Sequence, residues 1–189
     1  MPVGAGGISL LVGQVRYGGA ATQDRFAATL MAAIEDGIVA DAVIAGSGRE
    51  ATALWQLRKA CTEWCFAQGR LVPHDISLPP MHLPAFCARA AGIVAAIDPG
   101  ARSHIYGHLG DGNLHNLVQT AEGAAVSEAV NALVVEMGGS VTAEPGMGRG
   151  KARWLPLVAD APGIAAMARL KAAFDPRGIL NPRRVLGAG

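Results

Sequence analysis

The sequence predicts an α+β fold, a largely antiparallel sheet with helices packed on one face in a ferredoxin-like, split βαβ arrangement. Three observations carry this expectation. Runs rich in β-formers alternate with runs whose apolar residues recur at helical spacing. Two of the β-rich runs, Arg102–His108 and Leu114–Thr120, flank a short Gly-Asp-Gly-Asn turn in mid-chain, which makes them a hairpin. No Gly-rich phosphate loop follows any strand, so nothing here is built to hold a nucleotide by itself.

The elements follow in order. Residues 8–15 are apolar and β-rich and are expected as a strand, broken at Gly18-Gly19. Gln23–Glu35 places Phe26, Leu30 and Ile34 on one helical face and ends at Gly37. Ile38–Ala45 is expected as a second strand. Ser47 is a suitable N-cap for a helix that runs through Leu54, Leu57 and Cys61 to Phe66. Leu71–Leu78 is extended, and Pro73 and Pro79 place it at a sheet edge or end. Leu83–Ile97 and Glu128–Met137 are helices, the second stopped by Gly138-Gly139. Ser140–Ala143 is a short extended piece. After Arg149 the chain turns helical, with breaks expected at Pro156 and Pro162, and ends in a proline-punctuated tail from Phe174 to Pro182.

At 189 residues, residues 1–189 suit one domain with a sizeable core, or a single large lobe of something bigger. Half the residues are apolar, 16% are charged and the net charge is +1. The cations are scattered, so there is no electrostatic case for nucleic acid or an acidic membrane. No run of eighteen apolar residues occurs, so no membrane span is expected. The N-terminus lacks the basic and apolar blocks of a signal peptide. Cys61, Cys65 and Cys87 form no CxxC pair, and Cys61 and Cys65, at helical spacing, are expected as buried thiols. A cytoplasmic location is the default expectation.

Chemistry concentrates in Tyr106-Gly-His-Leu-Gly-Asp-Gly-Asn-Leu-His115. If Gly110–Asn113 form the turn, Leu109 faces Leu114 and His108 faces His115. Directly opposed hairpin residues hold their Cβ atoms about 4.5–5.5 Å apart on one face, close enough for two imidazoles to share a metal ion. A second stretch, Ser140 to Lys151, carries Glu144 at the end of a short extended segment. Two histidines and a carboxylate form a common catalytic set for zinc or manganese that leaves positions open for water or substrate. His, His and Glu also suit a metal-dependent hydrolase, which needs a general base near the metal; the sequence offers no good second carboxylate. Asp111 is expected to shape the turn and to stand behind an imidazole. His74 and His104 are expected as core or surface histidines, and Arg149 and Lys151 as solvated cations.

The hairpin motif, then Ala143-Glu-x-Gly-x-Gly148, then Phe174-Asp-Pro-x-Gly-x-Leu-Asn-Pro182 resemble the C-terminal domain of FAD-linked oxidases. These are the D-lactate, D-2-hydroxyglutarate and glycolate-type dehydrogenases of the vanillyl-alcohol-oxidase superfamily. Trp55-Gln-Leu-Arg58 and His74-Asp-Ile-Ser-Leu-Pro79 fit the same pattern. The resemblance implies a divalent metal, zinc or manganese, on His108, His115 and Glu144, orienting the hydroxyl and carboxylate of a small 2-hydroxy acid. It implies that Arg58 and Thr62 contact the substrate carboxylate, as a guanidinium fork suits, and that Asn181 lies near the flavin, FAD.

Three positions depart from the family pattern. Where a histidine usually follows the glutamate and accepts the substrate proton, this chain has Pro145, which can accept none. Where a lysine usually stands two residues before Asp75, it has Pro73. Where an asparagine often stands two places after the second histidine, it has Leu117, preceded by Asn116. The family's flavin-binding domain is expected to be absent from residues 1–189, so hydride transfer by this chain alone is not expected. The expectation is therefore a fragment, a subunit that meets a flavin-binding partner chain or a second copy of itself, or a decayed homologue that keeps a ligand site and acts as an interaction subunit.

Overall fold

In the computed structural model, which describes residues 7–13 and 19–186 (backbone alone for 19–23), the chain forms two units, Met1–Glu63 and Trp64–Gly189. The boundary falls within a helix, and each unit is taken in turn.

The first unit holds α1 (Gly19–Glu35) and most of α2 (Gly48–Ala67). Gly37, with φ +69°, lets the chain leave α1 while Ile38 N donates to Ala33 O at 2.9 Å. Ser47 caps α2 as its residue type predicts. Its Oγ accepts from Glu50 N at 3.2 Å, and the Glu50 carboxylate accepts from Gly46 N at 2.7 Å. Neither expected strand is found. Residues 8–13 and 38–45 are irregular, with Ile8, Leu10, Val12, Ile38 and Val43 exposed, while Gln14 and Val15 lie outside the described residues. The physical reason is that strand propensity reflects packing on a pleated, half-buried surface. These segments have no ladder to join among the described residues.

The second unit is built on three antiparallel strands, β1 (Val72–Ser77), β2 (Arg102–His108) and β3 (Asn113–Gln119), in the order β1-β3-β2. Helix α3 (Leu83–Ile97) links β1 to β2, and α4 (Gly123–Glu136) follows β3. Ser140 then returns to the outer edge of β1, exchanging backbone hydrogen bonds of 3.0 and 2.8 Å with Ser77. This is the split βαβ order that the sequence predicts, and it leaves Pro73 near a sheet edge, where its missing N–H is tolerated.

The core lies between the sheet and the two helices. Leu83, Phe86, Ala90 and Val94 of α3 and Val126, Val130, Leu133 and Val134 of α4 recur at helical spacing and pack on Ile76, Leu114 and Val118. Burying side chains of this size stabilises the fold by about 1.5–3 kcal/mol each. Residues 80–97 are long and apolar enough to cross a membrane by length and composition alone, but here the apolar stripe of α3 faces α4 and the sheet. Because strand side chains alternate, the opposite sheet face carries Pro73, Asp75, Asn113, His115, Leu117, Tyr106 and His108.

Helix α4 begins five residues earlier than expected. Pro156 and Pro162 stand in the first turns of α5 (Leu155–Val158) and α6 (Ala161–Phe174), where they start helices instead of breaking them. Asp160 caps α6 by accepting from Gly163 N at 3.0 Å.

Candidate functional site

The hairpin turn is Leu109–Gly112, one residue earlier than the sequence suggests. Asp111 Oδ1 accepts from Asn113 N at 3.0 Å, an Asx turn that starts β3 at Asn113. Gly112 takes φ +73°, and its carbonyl accepts from Leu78 N at 3.0 Å, pinning the turn to the end of β1. A Cβ on Gly112 would stand 1.9 Å from Leu78 O. The register therefore pairs His108 with Asn113 and His115 with Tyr106, so the two histidines are diagonal neighbours and not directly opposed. The offset is two residues, an even number, so both still point to the same face.

Diagonal positions, with spacings of about 7–8 Å, remain within reach of long side chains, and the ring centroids are 6.2 Å apart. Glu144 closes the set. Its Oε1 lies 3.9 Å from His108 Nε2 and 3.5 Å from His115 Nε2. One ligand atom from each residue falls within 4.8 Å of the other two. Ligands about 2 Å from a common tetrahedral ion stand roughly 3.3 Å apart, so the widest pair has to close by about 1.5 Å on binding. The donor set of two imidazoles and one carboxylate fits zinc or manganese. His115 is the least exposed of the three, its side chain 16% exposed, while His108 at 51% and Glu144 at 60% border solvent and leave an approach open.

Asp75 stands behind His115, with Oδ2 3.4 Å from Nδ1. Asn113 Nδ2 donates to Asp75 Oδ1 at 2.8 Å and fixes the carboxylate. On the other side the Tyr106 ring lies 4.8 Å from the His115 ring. The partner of the imidazole is thus Asp75 and not Asp111, whose carboxylate is used within the turn. Strand alternation places Asp75 opposite the core-facing Ile76, but only the β1–β3 register sets it beside His115. Lys151 also departs from expectation. It is half-buried, and its ammonium donates to Val141 O. Burial lowers its pKa, and the Asp75 charge opposes that shift.

The other expected contacts lie elsewhere. Arg58 and Thr62 belong to the first unit, one helical turn apart on α2. Both are half-buried on a stripe with Ala51, Leu54 and Cys61, not on a solvated face. Asn181 is an exposed residue of the tail with φ +47°. The tail is ordered by Asp175, which accepts from Ile179 N at 3.0 Å and Leu180 N at 2.9 Å and pairs with Lys171. The Lys171 hydrogen bond, followed by those backbone donors, holds the Asp175 carboxyl below its usual range. Val185 N donates to Gly148 O at 2.8 Å, tying the tail to the loop after Glu144. Of the two cysteines expected to be buried, Cys65 is and Cys61 is half-buried; both are thiols, as is the half-buried Cys87.

Residues 5–185 match the family described as FAD linked oxidases, C-terminal domain. The chain belongs to this family. Among its relatives is the mitochondrial D-2-hydroxyglutarate dehydrogenase of Arabidopsis thaliana, 34% identical over 169 residues that cover 87% of this chain and 30% of the relative. The enzyme of the same name from Rattus norvegicus is 36% identical, covering 82% and 30%. D-2-hydroxyglutarate dehydrogenase of Stutzerimonas stutzeri is 32% identical, covering 85% and 37%. The chain thus spans about a third of the length of the curated relatives it matches.

Against the FAD-linked oxidase pattern, the departures acquire positions. Pro73 and Leu117 are direct cross-strand partners on the face that carries His115. Asn116 points the other way, into the core opposite His74. There His74 Nδ1 donates to the Asn116 carbonyl at 3.1 Å, while His74 Nε2 and the Asn116 amide are buried with no hydrogen-bond partner among the described residues. Burial pushes the His74 pKa down to about 4. Pro145 leaves no titratable group on the residue after Glu144.

Proposed function

We propose that this chain is the substrate- and metal-binding domain of a flavin-dependent D-2-hydroxyacid oxidoreductase. The observation that carries the reading is the convergence of His108, His115 and Glu144 on one sheet face of an FAD-linked oxidase C-terminal domain. Bound there, a divalent ion supplies Lewis acidity toward the hydroxyl and carboxylate of a small 2-hydroxy acid. The chain's own residues divide the remaining work. His115 is the least exposed ligand, and His108 and Glu144 complete the set from exposed positions; the family resemblance assigns the substrate carboxylate to Arg58 and Thr62 of the first unit. Asn181 faces the flavin, FAD, carried by another region of the same polypeptide or by a partner chain. Substrate classes named for the relatives make a D-2-hydroxy acid the first ligand to test.

Pro145 favours a second reading, a homologue that binds the metal and the acid but turns over slowly or not at all, because the proton acceptor expected beside Glu144 is missing. The two readings share the binding site and differ in turnover. Isothermal titration with zinc and manganese is expected to show one equivalent bound, lost in His108→Ala. D-lactate, glycolate and D-2-hydroxyglutarate are then titrated into the metal-loaded protein, and one of them is expected to bind. Absence of stoichiometric metal, or indifference of the loaded protein to all three acids, defeats both readings.

A further inference from the structure

We propose that Asp75 is the positioning residue of the metal centre. It sets the tautomer of His115, so that Nδ1 carries the proton and Nε2 is left as the donor atom aimed at Glu144 and His108. The inference rests on the metal-binding reading above and extends it from which residues bind to why one of them is competent to bind.

The geometry separates the two nitrogens of His115. Nε2 faces the Glu144 carboxylate at 3.5 Å, and Nδ1 faces the Asp75 carboxylate at 3.4 Å. Asp75 therefore lies on the far side of the ring from the ligand atoms and cannot be a fourth ligand through the same cluster. A carboxylate accepts hydrogen bonds and donates none, so its natural partner at Nδ1 is an N–H. Neutral imidazole has only one N–H, and holding it on Nδ1 frees the lone pair on Nε2 for a cation. Which nitrogen ligates is thus decided by strand β1, not by the hairpin that supplies both histidines.

The surroundings make Asp75 a firmer partner than a surface carboxylate. Its side chain is 20% exposed, against 60% for Glu144, so its field is less screened. Asn113 Nδ2 holds the other oxygen at 2.8 Å. Asp75, His115 and Tyr106 stand in one row across β1, β3 and β2, so the imidazole is flanked by a carboxylate on one strand and an aromatic ring on the other.

Asn113 also makes the proposal sharply testable. In Asp75→Asn, the new amide oxygen keeps the Asn113 N–H, and the new amide NH2 is turned to His115 Nδ1. That nitrogen must then accept, which moves the imidazole proton to Nε2 and blocks it as a ligand. In the swapped pair, Asp75→Asn with Asn113→Asp, the amide NH2 of residue 75 donates to the carboxylate at 113. Its oxygen is returned to His115 Nδ1–H, and the original tautomer is restored.

Nitrogen-15 NMR of metal-free protein, at a pH where the imidazole is neutral, reads the protonated nitrogen directly. The expected result is Nδ1–H in the wild type, Nε2–H in Asp75→Asn and Nδ1–H again in the swapped pair. Zinc titration of the same three proteins is expected to show a loss of about 10–100-fold in affinity for Asp75→Asn and recovery in the swapped pair. Wild-type protein with its proton on Nε2 overturns the proposal, and because that measurement needs no variant it decides the matter even where a substitution fails to fold. Asp75→Asn that binds zinc as tightly as wild type overturns it too, while leaving the metal reading intact. If the tautomer switches as expected but no protein takes up zinc, the positioning stands and the metal reading falls.

Discussion

At the scale of single residues, His74 shows how a core position can make a polar side chain sensitive to pH. It is buried, donates through Nδ1 to a carbonyl, and has a pKa of about 4 against an ordinary 6.5. Between those two values the unfolded chain binds a proton that the folded chain refuses. The contribution is therefore fully present above about pH 6.5 and is lost as the pH falls toward 4, on the order of 3 kcal/mol in total. His74→Leu removes the titrating group and is expected to flatten this acid limb. Urea unfolding at about pH 7 and about pH 4.5 measures the slope; an unchanged difference between the two would place the acid sensitivity elsewhere. Asn116, opposite His74 on β1, turns its amide into the core, while Leu117 turns an apolar chain onto the face of His115, because adjacent strand residues point oppositely. The clustering of His108, His115 and Glu144 was legible because motif and residue type bring these side chains together locally. Asp75 was not, because its role depends on which strand pairs with β3.

At the scale of elements, the hairpin is where sequence reasoning came within one residue of the structure. Glycine and asparagine tolerate left-handed backbone, so Gly110–Asn113 reads as the turn. Only Gly112 uses that freedom, and Asp111 spends its carboxylate on starting β3 at Asn113. The two glycines of the turn therefore have different duties. Gly112→Ala meets both a positive φ and a Cβ 1.9 Å from Leu78 O, and is expected to destabilise the protein by about 2 kcal/mol or more. Gly110 has nothing within 4 Å of a Cβ and no positive φ, so Gly110→Ala is expected to be neutral within about 0.5 kcal/mol. Chemical denaturation of both variants checks the contrast, and equal losses would mean that the turn is not pinned to β1. Helices with an apolar stripe, such as α3, were legible because burial repeats every three or four residues within the element itself. The strands expected over residues 8–15 and 38–45 were not, because a strand needs a partner that composition does not name.

At the scale of the whole chain, burial is unevenly shared between the units. Every residue of the hydrophobic core cluster lies in residues 64–189, together with the sheet, His108, His115 and Glu144. Among the described residues of the first unit none is buried, and its large apolar side chains at positions 8, 10, 12, 38 and 43 are exposed. Stability of order 5–15 kcal/mol comes from burying apolar surface against the entropy of ordering the chain, and these described residues, none of them fully buried, contribute little to that difference. Helix α2 is the exception to a simple cut at residue 63. It carries Cys65, which is buried, along with Arg58 and Thr62. The chain shortened to residues 47–189 keeps α2 and its Ser47 cap while removing residues 1–46. It is expected to unfold in a single transition within about 1 kcal/mol of the full chain and to bind zinc with the same stoichiometry and an affinity within a few-fold. Side-by-side urea melts and zinc titrations test this. A shortened chain that melts broadly, or that no longer takes up zinc, would show that the first 46 residues contribute to the core or the centre through contacts that burial does not reveal. Retained zinc binding together with lost hydroxyacid binding would assign those residues to the substrate, in support of Arg58 and Thr62 on the adjoining helix.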